Sequence, residues 1–163
     1  MVELRVLGSD DWPLWRELRL AALAEAPAAF GSKLADWQGE GDREDRWRGR
    51  LEIPGSYNVV ALLDGEPVGM ASGLPMGGGD AVELISMWVS PRARGRGVGD
   101  GLILEIERWA LRQGAEVLRL CVMPDNDAAA ALYGRHGFRD TGEPGDLLED
   151  GVGREVVMAK ALD

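Results

Sequence analysis

Cysteine, histidine and lysine are almost absent from this chain. In 163 residues there is one cysteine, Cys121, one histidine, His136, and two lysines, Lys33 and Lys160. A single cysteine forbids an intramolecular disulfide, and one cysteine with one histidine cannot build a Cys/His zinc cage. No metal is expected. Any Ser-His-Asp or Cys-His chemistry would rest on His136 alone, in the turn Arg135-His136-Gly137-Phe138, where it reads as an exposed structural residue. Cys121 lies in Leu118-Arg119-Leu120-Cys121-Val122, which reads as a buried strand with the thiol as a small core group. Long apolar runs are also missing: nothing approaches the roughly 18 residues of a membrane span. Met1-Val2-Glu3-Leu4-Arg5 lacks the basic start and apolar core of a signal peptide. A soluble, cytoplasmic protein is the expectation, with no membrane partner. Positive charge is scarce too. Eighteen basic against 28 acidic residues give a net charge of -10, which argues against nucleic acid and is compatible with a cationic substrate. Arginine far outnumbers lysine and alanine and glycine abound, as in the products of GC-rich bacterial genomes.

What remains is an ordinary globular composition, 45% apolar and 28% charged, of a length that suits one domain spanning 1–163. Residues 2–7 alternate as an opening strand. Ser9-Asp10-Asp11 offers helix caps, with Pro13 in the first turn of a helix reaching about Ala26. Residues 27–39 read as a loop, and a charged helix is expected over Asp42–Leu51. Tyr57–Leu63 and Pro67–Leu74 form a hairpin about Asp64-Gly65, and Gly77-Gly78-Gly79-Asp80 turns into an apolar strand over Ala81–Val89. Val98, Leu102, Ile103, Ile106, Trp109 and Ala110 make a helical stripe that stops at Gly114. A strand at Glu116–Val122, a short helix capped by Pro124-Asp125-Asn126-Asp127, a strand starting at Phe138–Thr141, a loop over 142–151 and a strand over Val152–Ala159 complete the order. The pattern is a mixed α/β sheet of about six to seven strands, mostly antiparallel, flanked by about four helices.

Against the acidic background, three arginines and four alternating glycines fall within ten residues: Arg92-Ala93-Arg94-Gly95-Arg96-Gly97-Val98-Gly99-Asp100-Gly101. A strand precedes them and a helix follows. Free N–H groups at the helix start, with the helix dipole behind them, form a site for an anion such as a pyrophosphate. The glycines admit close approach of the backbone, and the arginines add forked donors. A dinucleotide fingerprint fails, because its third glycine would fall at Asp100 or Leu102. A phosphate-binding NTPase loop fails because neither lysine follows a glycine.

The spacing Arg94-x-x-Gly97-x-Gly99 between strand and helix resembles the acyl-CoA signature of the GNAT superfamily of N-acyltransferases. Asn126 after the next strand, Tyr133 and the ending Gly137-Phe138 resemble the second motif of that family. The resemblance covers about 81–140 by motif and the remainder by element order. It implies acetyl-CoA as co-substrate, bound by Arg94, Gly95, Arg96, Gly97, Val98 and Gly99, with all three arginines of the segment serving the anion. It further implies pantetheine pairing with the backbone of Met87, Trp88 and Val89, which would polarise the thioester carbonyl near Val89. Trp88 is left between packing under the cofactor and sitting in the core.

Asn126 and Tyr133 lie two helical turns apart on one face, with Ala129 and Ala130 between them. That face suits a thin pantetheine chain, Asn126 either bonding its amides or only capping the helix. Tyr133 is placed as the acid that protonates the leaving thiolate, since phenol and thiol reference pKa values lie within roughly 2 units. Glu83 is the only charge between Asp80 and Arg92, and a carboxylate there can deprotonate an amine directly or through water. Its placement is similar to that of the catalytic glutamate in the histone-acetylating branch of the family. Glu83, Ile85, Met87 and Val89 are expected on one strand face. The loop 142–151, which the resemblance places at the border of the acceptor site, carries the acids Glu143, Asp146, Glu149 and Asp150. It reads first as a solvated loop, and as the alternative its acids attract a cationic acceptor. Catalytic residues are thus expected at Tyr133 and Glu83, with direct attack of a primary amine on acetyl-CoA. The acceptor is left as a small-molecule or peptide amine, and a homodimer is compatible with the resemblance. The alternatives are a non-catalytic acyl-CoA-binding or regulatory module and a nucleotide-binding domain of another type.

Overall fold

The computed structural model describes residues 2–26, 34–77, 80–148 and 151–162. Its elements run β1 (Val2–Leu7), α1 (Trp12–Glu25), α2 (Glu44–Leu51), β2 (Tyr57–Leu63), β3 (Glu66–Pro75), β4 (Ala81–Val89), α3 (Val98–Arg112), β5 (Val117–Val122), α4 (Asp127–Arg135), β6 (Arg139–Leu147) and β7 (Arg154–Ala161). Short 3-10 turns at Leu34–Trp37 and Gly39–Gly41 lie between α1 and α2. The strands make one seven-stranded sheet in the order β1-β2-β3-β4-β5-β7-β6, antiparallel except for the β4–β5 pair.

Local chemistry sets most of these boundaries. Asp64 and Gly65 both take positive φ, 52° and 84°, the geometry a two-residue hairpin needs to match strand twist. The second expected turn contains Gly78 and Gly79, which lie outside the described residues. Ser9–Asp11 forms a 3-10 turn rather than a side-chain cap: the Asp11 carboxylate accepts the Gly8 N–H at 2.8 Å. The sheet carries a core on each face. Val59, Ala61, Ala71, Val82 and Leu84 pack against the stripe of α3. Val60, Leu62, Met70 and Trp88 pack against Trp15, Leu18 and Trp47 of α1 and α2. Among the described residues no helix is long and apolar enough to cross a membrane.

Four expectations need correction. The stretch 142–151 is not a loop throughout: β6 extends to Leu147, pairing irregularly with β7 through register shifts around Pro144. Proline and glycine hid the strand because Pro144 donates no ladder bond and Gly142 has positive φ. Cys121 is exposed rather than buried. β5 alternates, so Leu118, Leu120 and Val122 face the core and Cys121 faces outward beside Arg119. His136 is not exposed, with 13% of its side chain accessible, and its Nε2 lies 2.7 Å from the Asp100 carboxylate, tying α4 to the first turn of α3.

The fourth correction matters most for function. Glu83, Ile85, Met87 and Val89 do not share a face. Ser86 takes a positive φ of 54°, and the β3–β4 register shifts beside it, between Met70 and Ser72. A bulge adds a residue and reverses the alternation beyond it. Val82 and Leu84 therefore belong to the α3 core, whereas Trp88, of the same parity, belongs to the α1/α2 core. Met87 and Val89 instead point at the start of α3, where a Cβ built on Gly99 would lie 3.6 and 3.8 Å from their side chains.

Candidate active site

β4 and β5 pair only over Ala81–Glu83 and Val117–Arg119. Beyond Glu83 the two strands separate, while β3 still covers the other edge of β4 through Met70↔Trp88 and Gly69↔Val89. The end of β4 thus presents an unpaired strand edge at Met87–Val89, ready to bond an extended amide-bearing chain. Two helices border that gap. α3 begins at Val98 behind Gly97, which holds φ of 81° as N-cap, and the first N–H groups of a helix have no intrahelical acceptor. On the other side α4 begins at Asn126.

The gap opens into a cleft of about 690 Å³. Of the residues expected to bind cofactor, Met87, Trp88, Val89, Arg94, Gly95, Gly97, Val98, Gly99, Asn126, Ala129 and Tyr133 line it. The close approach at Gly99 is specific. A Cβ there would come within 3.2 Å of Leu132, so a side chain would narrow the cleft between α3 and α4.

Arg96 is not brought in. It lines a separate depression of about 250 Å³ with Arg92, beside Asp64 and Glu66. Arg92 lies 3.6 Å from the Glu66 carboxylate and donates to the Pro67 carbonyl at 3.1 Å. The three arginines therefore do not converge. The segment alternates around a tight turn with two positive-φ glycines, Gly95 and Gly97, which sends Arg94 and Arg96 to different sides. Arg94 is itself engaged. Its Nε donates to the Val89 carbonyl at 3.1 Å and its Nη2 to the Glu25 carboxylate, which also accepts the Trp88 indole N–H at 3.2 Å. Trp88 is 7% exposed and packs in the α1/α2 core, and it also lines the cleft.

Asn126 caps α4, its side-chain oxygen accepting the Ala129 N–H at 3.2 Å, while it also lines the cleft. Capping occupies the oxygen and leaves the side-chain NH2 for a ligand carbonyl. Ala128, not Ala130, joins Ala129 in the wall. Tyr133 is buried and stacked edge-on against Phe138 at 5.9 Å. Burial pushes its phenol well above the ordinary range, so it stays protonated at neutral pH. Glu25, Asp100, Leu132 and Arg135 also line the cleft. The last three were within reach of helical spacing from Gly97 and Asn126. Glu25 was not, since it meets Arg94 across 69 residues of chain.

Glu83 lies outside the cleft lining, on the opposite side of the bulge from Met87. Its carboxyl is held above the usual range, first by burial; Arg119 pulls it down, and Asp146 and Glu155 push it up. The Cys121 thiol, close to the same acids, is raised to about 11 by desolvation and then by Glu155, Glu83 and Asp146. A thiol held that high carries little thiolate at neutral pH and is a poor acyl acceptor. Arg119 pairs with Glu143. Glu149 and Asp150 lie outside the described residues. No group of acidic, cysteine or histidine residues suited to a metal occurs among the described residues.

A split between two parallel strands, flanked by a glycine-led helix and an Asn-capped helix, is the arrangement that decides the family. The sequence matches the family model of the acetyltransferase (GNAT) family over residues 15–138. The chain belongs to the GNAT family. A GNAT acetyltransferase from Streptococcus pneumoniae has the same fold, with a TM-score of 0.80 at 19% identity over 100% of both chains. YncA of Salmonella typhimurium, solved with acetyl-CoA, gives a TM-score of 0.77 at 24% identity over 100% of this chain and 95% of its own. Among characterised sequences, L-2,4-diaminobutyric acid acetyltransferase of Nocardia farcinica is 35% identical over 106 residues, 62% of this chain and 53% of its own. N-acetylaspartate synthetase of Rattus norvegicus is 34% identical over 92 residues, 56% of this chain and 31% of its own. The GNAT chain thus spans about half, or less, of the length of these two relatives.

Proposed function

We propose that this GNAT protein is an N-acetyltransferase that moves an acetyl group from acetyl-CoA to a primary amine by direct attack in a ternary complex. The observation that carries the reading is the coincidence, in one cleft, of the open β4 edge, the free N–H end of α3 and the Tyr133 phenol. The pyrophosphate sits against the N–H groups from Gly95 to Gly99, with Arg94 beside it. Pantetheine lies along Met87–Val89 and receives the Asn126 amide. Backbone N–H groups near Val89 polarise the thioester carbonyl.

The acceptor amine loses a proton to Glu83, directly or through water, and its nitrogen bonds to the thioester carbon. The C–S bond then breaks, the sulfur takes the Tyr133 proton, and the second amine proton leaves the nitrogen through water to restore the Tyr133 phenol. The products are an amide and CoA thiol. The raised carboxyl of Glu83 improves it as a base for an ammonium group. The protonated Cys121 argues against an acyl-enzyme route. Thiol release from acetyl-CoA, followed against a panel of amines, tests the reading. Amine-dependent release with formation of the acetamide is expected. CoA binding with no turnover on any amine would make the protein a binding module instead.

A further inference from the structure

On the sheet face opposite the cofactor cleft, β2, β3 and β4 present a polar island inside an apolar core. Asn58 and Ser72 are buried, at 1% and 0% exposure, and Ser72 donates to the Asn58 side-chain oxygen at 2.7 Å. Arg50, near the end of α2, reaches into this island. It donates to Asn58 Oδ1 at 3.0 Å, to Ser72 Oγ at 3.2 Å and to Ser86 Oγ at 3.1 Å. All three acceptors are neutral. Arg50 has no carboxylate within ion-pairing distance among the described residues, although acids outnumber bases 28 to 18 in the chain. Other arginines beside α1 and α2 do pair: Arg16 with Asp42 and Arg48 with Asp10 and Glu44.

The guanidinium lies 5.0 Å over the ring of fully buried Trp15, whose Nε1–H has no acceptor among the described residues. Arg19 of α1 is near enough that its charge, after burial, lowers the proton affinity of Arg50 to about 10. A half-buried guanidinium whose acceptors Asn58, Ser72 and Ser86 are all neutral favours an anion from outside. The position is also informative. Ser86 is the bulge residue, three residues before Val89, hence within about 10 Å of the strand end where the thioester is expected. On the other flank of Ser86 lie Glu83 and, near it, Asp146 and Glu155. The Ser86 bulge thus stands between an acidic end and a cationic end of this face.

We infer that the acceptor carries a carboxylate as well as its amine, an amino acid or a close relative, and that Arg50 at the Ser86 bulge receives the carboxylate while the amine lies toward Glu83. This rests on the acetyl-transfer reading and narrows its substrate class. The two relatives named above act, by their names, on or toward amino acids, which agrees with the inference without carrying it.

Matched acceptors test it on the unaltered protein. Each amino acid is compared with its decarboxylated amine and its carboxamide, for example 2,4-diaminobutyrate with 1,3-diaminopropane, and lysine with cadaverine, by thiol release. Within the pairs that turn over, the carboxylate member is expected to have a kcat/KM about ten- to hundredfold higher, the range of a hydrogen-bonded charge. Arg50→Met should abolish that ratio through acceptor KM while the acetyl-CoA KM holds. Arg50→Lys, which keeps charge without the fork, should retain part of it. If Arg50→Met fails to fold, Ser86→Ala is the second probe, with a smaller drop in the same ratio. Turnover with no preference for the carboxylate, or with preference for the decarboxylated amine, overturns the inference and leaves acetyl transfer intact. No thiol release with any amine overturns the acetyl-transfer reading itself.

Discussion

The two faces of β4 are built on different principles. On the cofactor side the binding groups are mainly main-chain N–H and C=O, exposed by a strand split and a helix start. On the other side they are long side chains meeting across the fold. The backbone site has to be local: glycines at 95, 97 and 99, a cap at 126 and a tyrosine at 133 keep their spacing because two successive strand-turn-helix units, β4 to α3 and β5 to α4, dictate it. The side-chain site joins Arg50 to Ser72 and Ser86 across 22 and 36 residues, and nothing local marks it. A chain can therefore state openly what it donates while hiding what it accepts. The bulge at Ser86 connects the two, since it turns Met87 toward the cofactor side and the Ser86 hydroxyl toward Arg50.

Several substitutions can break this division, beginning with the largest expected effect. Tyr133→Phe removes the acid and should lower amine-dependent thiol release by roughly 10²- to 10⁴-fold. The affinity for CoA should change little, because the ring still packs against Phe138. Steady-state rates and CoA titration read both. An equal loss of CoA affinity and rate would make Tyr133 a wall of the cleft and not an acid.

Glu83→Gln acts on the opposite side of the bulge. In the unaltered protein the rate should fall as pH drops through a Glu83 pKa that lies above the ordinary carboxylate value, because the base must be ionised and burial favours its neutral form. The variant should lose that acid limb of the pH–rate profile. A limb that persists unchanged would assign the base to water or to another group.

Arg94 offers a smaller effect on the cofactor side. Arg94→Ala should weaken CoA binding about tenfold, the scale of one charge-assisted contact. Glu25→Gln should strengthen it by a few-fold, since Glu25 competes for the same guanidinium. Calorimetric titration of CoA measures both, and opposite signs are the expected outcome.

The smallest effect is on stability. Asp42 binds Arg16 at 2.7 and 2.5 Å and accepts the Trp47 indole N–H at 2.8 Å, joining α1 to α2. Arg16 and then Trp47 lower its carboxyl from 3.8 to about 2. A carboxyl depressed in the folded state stabilises above its unfolded value and loses that contribution as pH falls toward the folded value. The Asp42 contribution should thus be full above about pH 4 and fade toward pH 2. Asp42→Asn should lower the melting temperature at neutral pH and shrink its difference from the parent in acid.

The fold was largely legible because its signals are short-range. The Asp64-Gly65 turn, the α3 stripe and the Asn126 cap each follow from residues a few positions apart. β6 was obscured by Pro144 and Gly142, whose local preference is for loops and which the ladder to β7 overrides. Cys121 was misread because a run of apolar residues looks buried on both faces until its partner strands show which face is covered. The shared face of Glu83 and Met87 was an inference from strict alternation, and one positive φ at Ser86 undid it. The convergence of Arg92, Arg94 and Arg96 was misread for a related reason: charge in sequence says nothing of direction around a glycine turn. Glu25 and Arg50 were beyond reach, being distant partners in a packed interior.

The central claim is that acetyl-CoA lies in the split between β4 and β5 and against the start of α3. Amide hydrogen exchange with and without CoA tests it most directly. Protection confined to the amides of Met87–Val89 and of the turn from Gly95 to Gly99, with a lesser effect at Asn126, is the expected result. Protection centred on Arg92 and Arg96, or on the α1/α2 face around Arg50, with none at Met87–Val89, would contradict it.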